Sequence, residues 1–202
     1  KAKHHKNHLF VALQGPHHDG HQFIHELYQK GFRNFLISRA EFKTTDFPEG
    51  NFLIVNDTLT AFQNISQNHR LAFQIPTIGI TGSNGKTIVK EWLNSCLQNR
   101  YKICKNPKSY NSQVGVCISV LGFKEGDEIG LFEAGISQKG EMGNLQKIIQ
   151  PSLGVFTNIG QAHSENFTSL EEKVREKMKL FSETETLIYC KDHRVIHDVI
   201  SS

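Results

Sequence analysis

The strongest constraint on this chain is a short β-branched run, Thr77-Ile78-Gly79-Ile80-Thr81, that leads straight into Gly82-Ser83-Asn84-Gly85-Lys86-Thr87 and then into a stretch with helical periodicity. Strand, glycine-rich loop and helix in that order make a phosphate cradle. The glycines let backbone N–H groups turn inward and approach an anion closely. The helix start adds partial positive charge. Lys86 can reach terminal phosphates, and Thr87 can offer its hydroxyl to Mg²⁺. The loop departs from the common G-x-x-x-x-G-K-[ST] pattern, because position 80 is Ile80 and the first loop glycine is Gly82. It is a shorter G-x-x-G-K-T loop, read against the plain alternative of a glycine turn before a surface lysine.

The rest of the chain alternates β-rich and amphipathic stretches, which argues for α/β architecture with a largely parallel sheet. Strands are expected at 9–13, 35–38, 52–55, 77–81, 101–104, 129–133, 153–157 and 187–190. Helices are expected at 22–30, from Asp57 to about Ala72, and at 86–98, 111–121, 140–149, 169–181 and 193–200. Asp19 and Asp57 suit helix starts, and Gly31 suits a helix stop. In the helix after the loop, Ile88, Trp92 and Cys96 recur at i, i+4 and i+8 and read as a buried stripe. Ile75-Pro76 punctuates the chain, since proline disfavours helix in the residue before it. A domain boundary is expected there, with domain 1–75 lacking its true beginning and domain 76–202 incomplete.

Composition narrows the function. The net charge of +3 is too mild to argue for nucleic acid, so a small-molecule substrate is the default. No apolar run approaches the length of a membrane span, and no secretory signal opens the chain. Cys96, Cys104, Cys117 and Cys190 form no C-x-x-C pair and read as free thiols of a cytoplasmic protein. His4, His5, His8, His17, His18 and His21 have no acidic or thiol companions and read as surface residues.

Beyond the loop, Glu133 closes a predicted strand. The carboxyl ends of parallel strands line the ligand crevice, so Glu133 can reach a metal; an exposed strand-end carboxylate is the equal alternative. Taken alone, His163 reads as a solvent or core histidine. Lys177, among Lys173, Arg175 and Lys179, reads as a solvated lysine.

Together these segments resemble the Mur ligase family of peptidoglycan synthesis over nearly the whole chain. The resemblance rests on Gly79–Thr87 with Val89-Lys90-Glu91, Asn111–Val116, Phe132–Ser137 with Gly140-Glu141, Thr157–Gly160 with Ala162-His163, and Ser169-Leu170-Glu171 before Lys177. It implies a small N-terminal α/β UDP-sugar-binding domain, a P-loop ATPase domain with a mostly parallel sheet, and the cofactors ATP and Mg²⁺. Leu9–Gly15, Asp19-Gly20-His21, Ile37-Ser38-Arg39 and Val55–Thr58 resemble the branch that joins D-alanyl-D-alanine to UDP-N-acetylmuramoyl-tripeptide. Lys108–Ser112, Phe132–Ser137 and Glu176–Phe181 resemble the form fused to alanine racemase.

The resemblance also carries roles. Gly82, Ser83, Asn84, Gly85, Lys86, Thr87 and Asn158 would bind ATP, and Lys86 would stabilise charge on the γ-phosphoryl group. Thr87 and Glu133 would hold one Mg²⁺; His163 and a carbamylated Lys177 would hold a second. Ser38, Arg39, Asn111 and Ser112 would face the substrate. The expected partners are the UDP-linked tripeptide and D-alanyl-D-alanine, with no nucleic acid and no membrane span, in a monomer or fused to a racemase dimer. Cys117, Ser109, Ser112 and Met178-Lys179 depart from the family's usual residues. The family's third domain is not found in the sequence, so the chain alone is expected to bind nucleotide weakly and not to ligate. Alternatives are another ligase of the superfamily, such as a folate polyglutamate or other muropeptide ligase, or a non-catalytic P-loop module.

Overall fold

The computed structural model describes residues 5–15, 17–38, 42–160 and 166–202. All eight expected strands form: β1 Leu9–Val11, β2 Asn34–Ile37, β3 Asn51–Ile54, β4 Thr77–Thr81, β5 Ile103–Lys105, β6 Ile129–Glu133, β7 Leu153–Phe156 and β8 Thr186–Tyr189. The helices are α1 Ile24–Gln29, α2 Thr58–Leu71, α3 Lys86–Leu97, α4 Gln113–Val120, α5 Glu141–Ile149, α6 Leu170–Met178 and α7 Arg194–Ser201. The ends differ by a few residues where a cap or a short 3-10 turn intervenes. Asp19 accepts from the His21 amide at 3.0 Å, but the first turn it starts is 3-10, Gly20–Phe23. Ser112, not Asn111, caps α4 by accepting from the Gly115 amide.

The chain divides into two compact units, residues 1–64 and 65–202, so the division falls inside α2, ahead of Ile75-Pro76. The first unit is a parallel sheet in the order β1-β2-β3. Its core gathers Ala12, Ile24, Phe35, Ile37 and Phe47, with Phe52 stacked on Phe35 at 5.1 Å. His21 belongs to this interior and is only 5% exposed, which corrects its surface assignment. Its Nδ1 lies 2.6 Å from the Asp19 carboxylate, while Nε2 accepts the Ser38 amide at 3.1 Å. A histidine held from both sides in this way fixes the chain as it leaves β2.

The second unit is an all-parallel sheet in the order β5-β6-β4-β7-β8. The phosphate-loop strand β4 is central, which buries Thr77, Ile80 and Thr81 completely. Parallel pairing puts the carboxyl ends of β4, β6 and β7 side by side, with Ile80 opposite both Glu133 and Val155. The opposite end of β4 is anchored by buried Arg70. Its guanidinium donates to the carbonyls of Ile149 and Ile75 and to Thr77 Oγ1.

The expected buried stripe Ile88–Trp92–Cys96 is on the outside. Ile88 is 56% exposed, Trp92 is 69% exposed, and Cys96 is exposed too. α3 packs on β4 and β6, and it is Lys90 that is buried and Val89, Leu93 and Leu97 that are half-buried instead. Val89, Leu93 and Leu97 repeat at the same i, i+4, i+8 spacing one residue further on, so two apolar ladders compete on one helix.

Candidate functional site

The loop is shaped by two left-handed glycines and by the segment after β7. Gly82 has φ +144°, and a Cβ there would lie 2.0 Å from Thr157 Oγ1, so only glycine fits. Gly85 has φ +79° and opens α3. The Ser83 amide donates to the Asn158 carbonyl at 2.9 Å, and the Asn84 amide to Asn158 Oδ1 at 2.9 Å. Thr157 Oγ1 donates to the Asn84 carbonyl, and Ser83 Oγ exchanges hydrogen bonds with Gly160. Asn158 thus holds the loop from behind.

Lys86 folds over this loop, its amine 2.9 Å from the Gly82 carbonyl and 3.2 Å from that of Ser83. Burial holds its pKa below the usual lysine value; the Glu133 charge opposes that shift and Lys173 adds to it. Thr87 Oγ1 donates to Glu133 Oε2 at 2.8 Å and lies 3.2 Å from Ser109 Oγ. Glu133 is fully buried, which removes the exposed strand-end alternative. Its second oxygen, Oε1, is buried with no hydrogen-bond partner. The nearest charge is Lys90 Nζ at 3.9 Å, too long for a hydrogen bond. A buried carboxylate oxygen left in this way is costly unless a cation completes it. Thr87 and Glu133 therefore suit a hard divalent ion.

A cavity of about 380 Å³ opens at this end of the sheet, lined by Gly82, Lys86, Asn111, Ser112, Lys173 and Lys177 among others. Lys177 is 3% exposed and Lys173 2%, so neither is the solvated lysine that sequence suggests; only Arg175 and Lys179 of that group face solvent. The Lys177 amine donates to the Gly82 carbonyl at 3.2 Å. Burial, then the charges of Lys86 and Lys173, bring its pKa down to about 7. Lys173 donates to the Gly160 carbonyl at 2.6 Å. The i, i+4 spacing of Lys173 and Lys177 on α6 was the available signal that both share one helix face. His163 and Arg39 lie outside the described residues, and Ser38 lies in the first unit at the end of β2.

Residues 80–202 match the Mur ligase middle domain. The chain belongs to the Mur ligase family. It is 32% identical over 197 residues to the UDP-N-acetylmuramoyl-tripeptide–D-alanyl-D-alanine ligase of Bacillus subtilis (strain 168), covering 96% of this chain and 42% of that one. Among solved structures it resembles MurF from Acinetobacter baumannii, with a TM-score of 0.86 and 25% identity over 100% of this chain and 45% of that one. It also resembles MurF ligase from Thermotoga maritima in complex with ADP, with a TM-score of 0.85 and 27% identity over 98% of this chain and 46% of that one. This chain thus spans under half the length of these relatives. Among the described residues, no helix is long and apolar enough to cross a membrane.

Proposed function

We propose that this chain supplies the ATP-handling and UDP-substrate-binding parts of a cytoplasmic ligase that joins D-alanyl-D-alanine to UDP-N-acetylmuramoyl-tripeptide. In the reaction, a carboxylate oxygen of the tripeptide attacks the γ-phosphorus of ATP and ADP leaves. The dipeptide amine then attacks the acyl phosphate, loses a proton, and expels phosphate as the amide forms. The carboxylate is a poor electrophile until it is phosphorylated, so the protein's task is positioning and charge stabilisation.

The observation that supports this reading is the buried, unpartnered Oε1 of Glu133, whose other oxygen accepts from Thr87 at the end of the phosphate loop. Gly82–Thr87 would cradle the phosphates. Lys86 would swing from the loop carbonyls to the γ-phosphoryl group. Thr87 and Glu133 would hold one Mg²⁺, and His163 with carbamylated Lys177 a second. The metal, when bound, neutralises phosphate charge and draws donor and acceptor together. An amine with a pKa of about 7 is substantially neutral at physiological pH, as attack on CO₂ to give a carbamate and a proton requires. Asn111 and Ser112 in the cavity wall would meet the acceptor carboxylate, with Asn158 holding the loop behind the nucleotide. Ser38 and Arg39 in the first unit would meet the UDP-sugar end.

Titration calorimetry of the chain with a non-hydrolysable ATP analogue, with and without Mg²⁺, tests the site. Wild type should bind more tightly with Mg²⁺. Glu133→Gln should lose that increment and keep the metal-free affinity. An increment that survives in Glu133→Gln would remove Glu133 from the metal site and with it the main support for this reading.

A further inference from the structure

Lys90 lies one turn beyond Lys86 on α3, and its side chain is wholly buried. Burying an ammonium group is costly unless every donor is used. Here the three donors have three acceptors: the Asn106 carbonyl at 3.0 Å, the Lys108 carbonyl, and Glu91 Oε1 at 3.3 Å. Two of the three lie in the turn after β5. That turn needs holding, because Lys108 has φ +50°, a conformation disfavoured for a residue with a Cβ.

The turn also reaches the candidate cation site by two routes. The side chain of Asn106, itself fully buried, accepts the Glu133 amide at 2.6 Å and donates to the Tyr110 carbonyl at 2.6 Å. Ser109 Oγ sits 3.2 Å from Thr87 Oγ1, which donates to Glu133. α3, the 106–110 turn and the end of β6 thus form a closed ring of contacts around Glu133, and Lys90 fastens two of its sides.

We propose that Lys90 is a positioning residue for the cation site: its amine fixes the 106–109 turn to α3, and so holds Glu133 and Thr87 in register for a divalent ion. The inference rests on the metal role of Glu133 proposed above. A purely electrostatic role makes the opposite prediction. Lys90 Nζ is 3.9 Å from the open Glu133 oxygen, so removing that charge without moving the carboxylate would tighten binding of a second cation.

The test is Mn²⁺ binding, followed by the electron paramagnetic resonance of free Mn²⁺, to the chain in the presence of a non-hydrolysable ATP analogue. Wild type, Lys90→Met, Lys90→Gln and Glu133→Gln are compared, with metal-free analogue binding and circular dichroism measured alongside. Lys90→Met should weaken Mn²⁺ binding about tenfold or more, as loss of a residue that orients a ligand does, while metal-free analogue binding stays as in wild type. Lys90→Gln keeps a donor near the turn and should fall between the two; it carries the test if Lys90→Met does not fold. Unchanged or tighter Mn²⁺ binding in the Lys90 variants overturns the proposal, and so does failure of both to fold, which would make Lys90 a residue of general stability. If Glu133→Gln also leaves Mn²⁺ binding unchanged, the metal reading itself has failed, not just the role of Lys90.

Discussion

Replacing Lys177 by methionine should make the protein more stable near neutral pH. The residue is 3% exposed and its amine is close to the charges of Lys86 and Lys173, so its charged form is disfavoured. Its pKa of about 7, against 10.5 for a free lysine, corresponds at roughly 1.4 kcal/mol per unit to about 5 kcal/mol of unfavourable free energy when the unfolded chain is fully protonated. Relaxation and water entry reduce such figures, so a gain of about 2–4 kcal/mol for Lys177→Met at pH 6.5 is expected. Little is lost in exchange, because the Gly82 carbonyl that Lys177 contacts still accepts from Lys86.

The pH dependence fixes the sign. Between about pH 7 and 10.5 the unfolded chain binds the proton and the folded one does not, so wild-type stability rises with pH across that window. The advantage of the variant should therefore be largest below pH 7 and fade towards pH 10.5. Urea unfolding at pH 6.5, 8 and 10 in CO₂-depleted buffer measures it; added bicarbonate should then stabilise wild type and not the variant. A destabilised Lys177→Met at pH 6.5, or a difference that does not change with pH, would refute the reasoning.

Gly82→Ala forces a Cβ to within 2.0 Å of Thr157 Oγ1 at a φ of +144°, and should lower stability by about 3 kcal/mol or more in thermal unfolding while abolishing nucleotide binding. The thiols should divide by environment. Burial pushes Cys104 up to about 12 and raises Cys117 as well, whereas Cys96 and Cys190 are exposed. Timed iodoacetamide labelling with peptide mass spectrometry at pH 8 should therefore modify Cys96 and Cys190 well before the other two.

Much of the architecture was legible in one dimension because it rests on local rules. β-Branched runs punctuated by glycine and proline, alternating with helical periodicity, specify a parallel α/β chain before any contact is known. The loop from Gly82 to Thr87 is legible for the same reason: its chemistry lies in consecutive backbone groups. The i, i+4 rule also places Lys173 and Lys177 on one face of α6, but it cannot say whether that face meets water or the core.

What the sequence left open depends on which surfaces meet. α3 carries two apolar ladders at the same spacing, and only the docking of the helix on β4 and β6 turns Val89, Leu93 and Leu97 inward and leaves Trp92 outside. Glu133 could have been a solvated strand end; the pairing of β6 with β4 buries it beside Thr87, forty-six residues away in sequence. Lys90 falls within a recognisable segment, but the sequence does not show that it ties the turn after β5 to α3, because those partners are the Asn106 and Lys108 carbonyls, groups that every residue possesses. Sequence by itself determined the elements and the phosphate loop, since both follow from short-range geometry. Tertiary structure decided burial, and burial sets the desolvation that lowers the pKa of Lys177 and leaves one oxygen of Glu133 open to a cation.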